Sequence, residues 1–96
     1  MGIFVFYSGI MITKLKAPIS VFSIYNHKKG WSIPKVIIWE GRNYLTKKIG
    51  YHHTYKEGKI LFHVFSVLAN SHFFKIKHNT QNLSWELEEI SDGAVN

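Results

Sequence analysis

The chain has 96 residues, 46% apolar and 19% charged, which is one domain with material for a core and argues against an intrinsically disordered chain. It has no cysteine, so disulfides, thiolate catalysis and Cys-based zinc sites are excluded, and a reducing, cytoplasmic setting is expected. The formal charge of +6 is uneven: residues 1–80 hold twelve bases and two acids, +10, and residues 81–96 hold four acids, −4.

Met1 to Thr13 carry no charge. They lack the basic start of a secretion signal, and Lys14 and Lys16 cut the run short of the about 20 apolar residues that span a membrane. Residues 1–13 are expected to form an edge strand or a loosely docked arm, with no membrane partner. Ile19 to Tyr25 alternates and reads as a strand, and Asn26 to Gly30 as a turn. Trp31 to Pro34 is extended, because a proline biases the residue before it away from helix. Lys35 to Trp39 is a strand, Glu40-Gly41-Arg42 a tight turn, and Asn43 to Ile49 the returning strand. With Gly41-Arg42 as the loop, Trp39 faces Tyr44 and Ile38 faces Leu45. Gly50 to Gly58, which holds Tyr51, His52, His53 and Tyr55, reads as a wide loop or as a strand extension ending at Glu57-Gly58.

The most regular pattern lies in residues 59–90. Lys59–Leu68 and His72–His78 are rich in branched and aromatic residues, and Leu83–Ile90 alternates apolar with polar. Such runs fit a pleated surface, and the Asn-containing segments Asn70-Ser71 and Asn79–Asn82 between them are turn chemistry. Closing the first turn sets Val67 opposite Phe74, Phe65 opposite Ile76 and His63 opposite His78. Closing the second with Asn79–Asn82 as its loop sets Phe74 opposite Leu87, Ile76 opposite Trp85 and His78 opposite Leu83, with Lys75 meeting Glu86 on the other face. A one-residue slip would put Lys or Glu against Phe and Ile, so the register is strongly specified. Residues 91–96 read as a frayed tail. No window shows helical periodicity. The expected fold is all-β: an antiparallel meander of about six or seven short strands, forming a curled sheet or a partly open small barrel in a single domain, 1–96.

The chemistry is sparse. Only Glu40 and Glu57 are acidic before residue 86, and there is no phosphate loop, nucleophile elbow or triad pattern, so no catalytic residue and no cofactor is assigned. His52 and His53 are adjacent, so on a strand they diverge. His63 and His78 are the candidate metal pair, with a third ligand to come from His52, His53 or His72; they lack the spacing of a known metal motif, and no metal is expected. Basic residues interleaved with aromatics suit single-stranded nucleic acid, the candidates being Lys47, Lys48, Tyr51, Tyr55, Lys56, Lys75 and Lys77. Against this, eleven of the twelve bases are lysine, whereas base and phosphate recognition also draws on arginine.

One resemblance stands beside this reading. Ile33-Pro34, then Ile38-Trp39-Glu40-Gly41-Arg42-Asn43-Tyr44 and Ile49-Gly50-Tyr51-His52-His53, then Phe62–Val67 and Trp85–Gly93, together resemble small uncharacterised bacterial proteins of the domain-of-unknown-function type. The likeness spans about residues 33–93 and implies a bacterial, cytoplasmic protein without an assigned activity. The function expected is a small non-catalytic binding or protein-interaction module, with single-stranded nucleic-acid binding as the alternative. Its working surface is placed on Arg42, Lys47, Lys48, Tyr51, His52, His53, Tyr55 and Lys56, because binding residues concentrate on the loops of a rigid sheet. The partner is another protein, or a second copy paired through exposed sheet edges as a homodimer.

Overall fold

The computed structural model describes residues 3–7 and 10–92. Seven antiparallel strands follow one another: β1 (Ile3–Tyr7), β2 (Ile10–Asn26), β3 (Trp31–Trp39), β4 (Arg42–Glu57), β5 (Ile60–Ala69), β6 (His72–Asn79) and β7 (Trp85–Asp92). Each pairs with the next, and β7 returns to pair with β2. Strands β2 to β7 therefore form a hydrogen-bonded ring, and β1 pairs with β2 beside it. The all-β antiparallel meander expected from the sequence is the fold.

Two long strands turn the corners. β2 gives Ile12–Ile19 to β7 and Ser20–Asn26 to β3. β4 gives Arg42–Leu45 to β3 and Thr46–Glu57 to β5. Register shifts interrupt the ladders between Lys14 and Ala17, between Phe22 and Ser23, and twice in β4 between Thr46 and Tyr51. An extra residue on one strand bends it and sharpens its twist. Pro34 sits at one such point, paired with Ser23 beside the unpaired Lys35, where its missing N–H is tolerated.

The interior is filled chiefly by β5, β6 and β7. Ile37, Val67, Ile76 and Leu87 are fully enclosed, and Phe65 and Phe74 nearly so. Tyr44 meets Phe74 edge-on at 4.9 Å between centroids, and Phe65 packs on Trp85 at 5.8 Å. The β5–β6 register is the expected one, with Val67 on Phe74, Phe65 on Ile76 and His63 on His78. Its loop residues Asn70 and Ser71 both take positive φ, 49° and 68°, as a primed two-residue hairpin turn requires.

The β6–β7 register differs from expectation by two residues. The loop is 80–83, not Asn79–Asn82: the Asn79 amide donates to the Ser84 carbonyl, and Asn79 Oδ1 accepts from the amides of Gln81 and Asn82. Asn79 thus closes the turn from within the strand. His78 faces Trp85, Ile76 faces Leu87, and a bulge carries Phe74 to Ile90. A slip of two keeps each side chain on its face, so Phe65, Val67, Phe74, Ile76, Trp85 and Leu87 are inside as expected, while Leu83, expected opposite His78, is exposed in the loop and the ion pairs change. Lys75 meets Glu89 at 3.7 Å rather than Glu86, and Lys77 meets both Glu86 and Glu88 at 3.4 Å.

The β3–β4 hairpin slips likewise. Its loop is Glu40-Gly41, with φ of 50° and 76°, so Trp39 faces Arg42 and Ile37 faces Tyr44. Placing Gly41 second in the loop puts the residue without a Cβ at the larger positive φ. Gly50 to Gly58 is no loop: it continues β4 to Glu57, which faces Ile60 across the next turn. Ser91 and Asp92 belong to β7, and residues 93–96 of the expected frayed tail lie outside the described residues.

Trp85→Ala removes a large, nearly enclosed ring and should lower unfolding stability by about 3–5 kcal/mol, read from urea denaturation. Ser71→Gly should raise it by about 1 kcal/mol, because an L-residue held at positive φ is strained there and glycine is not.

Candidate binding site

The eight residues placed on the working surface all lie on β4, but they do not share one face. Arg42 is exposed where β4 begins, Lys47 and Lys48 are exposed at a bulge, and Lys56 is exposed near the β4–β5 turn. Tyr51, His53 and Tyr55 form a ladder with centroid separations of 5.2 and 6.4 Å, and Tyr55 stacks on Phe62 of β5 at 5.2 Å. Beside them the Lys77 ammonium lies 4.7 Å from the Phe62 ring centre. Burial disfavours its charge, but a hydrogen bond with Tyr55 and the carboxylates of Glu88 and Glu86 outweigh burial and raise its pKa. Lys75 and Lys77 are thus each paired with glutamates of β7.

His52 diverges from His53, as adjacency on a strand requires, and joins a cluster inside the ring. It stacks on Trp31 at 4.2 Å, and its Nε2 lies 2.8 Å from Nδ1 of His63. One of these two nitrogens donates and the other accepts, so both rings cannot be fully protonated at once. His78 faces His63 across the ladder and stacks on Trp85 at 4.1 Å. Burial lowers the pKa of all three histidines; His63, His53 and Lys29 lower that of His52 further, and His63 that of His78.

Among the described residues no group of three or more His, Asp or Glu side chains is placed to hold an ion. His72 lies at the other end of the β5–β6 hairpin, where its Nδ1–H donates to the Asn70 carbonyl.

The cluster sits beside an opening in the ring. β3 and β4 pair through only four positions, Val36–Trp39 with Arg42–Leu45. From Thr46 to Glu57, β4 pairs with β5 alone among the described residues, and the edge towards β3 has no strand on it. The Trp31–His52 stack links β3 to β4 where hydrogen bonds do not.

Two features escaped the sequence reading. Trp31 was given no role, and nothing local in Trp31-Ser-Ile-Pro34 indicates that its ring meets His52. The outer face of β2, β3 and β4 is apolar, with Phe22, Ile24 and Leu45 64%, 59% and 61% exposed; Phe22 is opposite Val36, which is opposite Leu45. The signal for it was Val21-Phe22 and Ile24-Tyr25, apolar on both faces of one strand.

Compared with family models, curated proteins and solved structures, the chain matches none. The likeness of residues 33–93 to small bacterial proteins therefore rests on the quoted residues alone.

Stability should fall as the pH drops. His52, His63 and His78 titrate below the ordinary histidine value in the folded chain, so the unfolded chain binds more protons between the two values. The stability they contribute is complete above about pH 6.5 and is lost as pH falls through the lowered folded values. Urea midpoints between about pH 8 and pH 5 should decline, and His63→Gln should flatten that decline.

Proposed function

We propose that the chain is a binding module that engages a partner protein through β4. The observation that supports this reading is the edge from Thr46 to Glu57, twelve residues whose β3-facing side carries no strand among the described residues. An unpaired edge is a template for an added strand: main-chain hydrogen bonds supply affinity, and alternate side chains supply specificity.

Charge selects the occupant. Exposed Lys47, Lys48 and Lys56 lie along this edge, exposed Lys35 lies on β3 opposite it, and Glu57 is the acid at its end. Joining two β4 edges would bring three lysines from each copy into one seam, and like charges opposed across strands destabilise the pairing. The homodimer expected from the sequence is therefore disfavoured on this edge. An extended, acidic segment of another protein satisfies both the backbone and the lysines.

A second reading, single-stranded nucleic acid, is favoured by the Tyr51–His53–Tyr55 ladder. Its outer rings are 60% and 37% exposed, and sequence-tolerant binders stack bases on such rings beside lysines.

Fluorescence anisotropy distinguishes the two, using a labelled peptide of alternating Glu and Val and a labelled oligothymidine. The peptide should bind with micromolar Kd and weaken with salt, and Lys47→Glu, Lys48→Glu and Lys56→Glu together should weaken it roughly tenfold or more. Amide signals from 46–57 should shift. A nanomolar oligothymidine complex with a steep salt dependence would put the second reading first. Peptide binding unchanged in the triple variant would overturn the first.

A further inference from the structure

We propose that the open end of the ring is a second binding site, for a small planar organic anion such as an aromatic carboxylate. Tyr25, Trp31, Ser32, His63, His78 and Leu83 line a cavity of about 200 Å³ there. A neighbouring cavity of about 510 Å³ shares Ser32, His78 and Leu83 with it. This site lies inside the ring and is independent of a strand added to β4.

Unanswered hydrogen-bonding capacity carries the argument. His63 and His78 are only 6% and 7% exposed. Among the described residues His63 makes one side-chain hydrogen bond, through Nδ1 to His52, and His78 makes none. Neither ring contributes to the fully enclosed unpartnered atoms, so solvent reaches their free nitrogens, and both residues line the cavity. A buried polar group without a protein partner needs water or a ligand.

The sign of the ligand follows from the charges around it. Among the described residues no carboxylate lines either cavity. The β2–β3 turn brings the Lys29 ammonium to 5.8 Å from the Trp31 ring centre. β4 contributes His52, β5 His63 and β6 His78, while Lys77 of β6 pairs with Glu86 and Glu88 of β7, and Lys75 with Glu89. Every unpaired ionisable group at the site is thus neutral or cationic.

Planarity follows from the walls. Trp31 stacks on His52 with 21° between planes, and Trp85 on His78 with 15°. An aromatic ring resting on Trp31 extends the first stack and directs a carboxylate to His63 Nε2 and to His78. At the rim Leu83 is 68% exposed and held at a φ of 65°, a costly backbone state for a branched apolar residue and one that collects at ligand clamps.

Binding carries a proton signature. In the free protein burial disfavours the charged forms of His63 and His78, and His63 disfavours that of His78 further. A bound anion favours their protonated forms, so binding takes up protons and tightens as pH falls.

The test is isothermal titration calorimetry of the intact chain with benzoate and 2-naphthoate at about pH 6 and pH 8, in two buffers of different ionisation enthalpy. Benzylammonium and benzamide are the controls. The carboxylates should bind with Kd of roughly 0.1–1 mM at the lower pH and several-fold more weakly at the higher, with net proton uptake. NMR signals of Trp31, His52, His63 and His78 should shift, while those of Lys47, Lys48 and Lys56 on the β4 edge should not. His63→Gln and His78→Gln should each weaken binding by roughly tenfold, the loss of one charge-assisted hydrogen bond. If either variant fails to fold, proton uptake and the shifts in the unaltered protein decide. No carboxylate binding below about 10 mM, equal binding of benzylammonium, or binding without proton uptake would overturn the proposal.

Discussion

A β-strand has two hydrogen-bonding edges, and this fold depends on two strands that change partners midway. β2 bonds β7 with one half and β3 with the other, and β4 leaves β3 for β5 after its first four residues. A domain of this size buries only about 60–65% of its unfolded surface, and uninterrupted flat strands would give an open sheet with one bare face. Bulges on either side of the change of partner in β2, and just after it in β4, bend the two strands so that six strands enclose one interior. The β3–β4 seam is where this arrangement is incomplete: the free β4 edge lies along it, and Trp31, which bridges it to His52, also lines the cavity at the end of the ring.

At the seam, aromatic stacking takes over from backbone pairing. Trp31 reaches His52, His52 reaches His63, and His63 faces His78, which stacks on Trp85. Imidazole suits the position because it is apolar enough to stack when neutral and polar enough to meet water at the opening. Removal from water makes the charged form costly. The end of the ring is thus held in part by histidines that titrate below the ordinary histidine value, whereas Phe65, Phe74, Ile76 and Leu87 deeper inside do not titrate.

Much of the fold was legible in residues 59–90. Alternation between Phe65, Val67, Phe74 and Ile76 on one side and Lys75 and Lys77 on the other is a parity rule, and parity survives a slip of two. That is why the buried face was recovered while the partners of Lys75, Ile76 and Trp39 were not. Loop placement decides the exact partner, and it depended on Asn79 capping its own turn and on Gly41 taking the second loop position. Gly50 to Gly58 read ambiguously because two glycines and two adjacent histidines do not alternate. Pairing with β5, a contact between segments separated by a turn, made it a strand.

The sequence by itself determined the all-β class, the strand parity, the core residues of β5 to β7 and the divergence of His52 from His53. Each of these follows from the two-residue period of a strand and from the cost of burying charge, both of which act locally. Only the tertiary structure decided that β7 closes on β2, that β4 abandons β3 after Leu45, and that Trp31, His52, His63 and His78 meet at one opening. Those outcomes join residues distant along the chain, and they depend on where bulged strands bend in space, which no local pattern encodes.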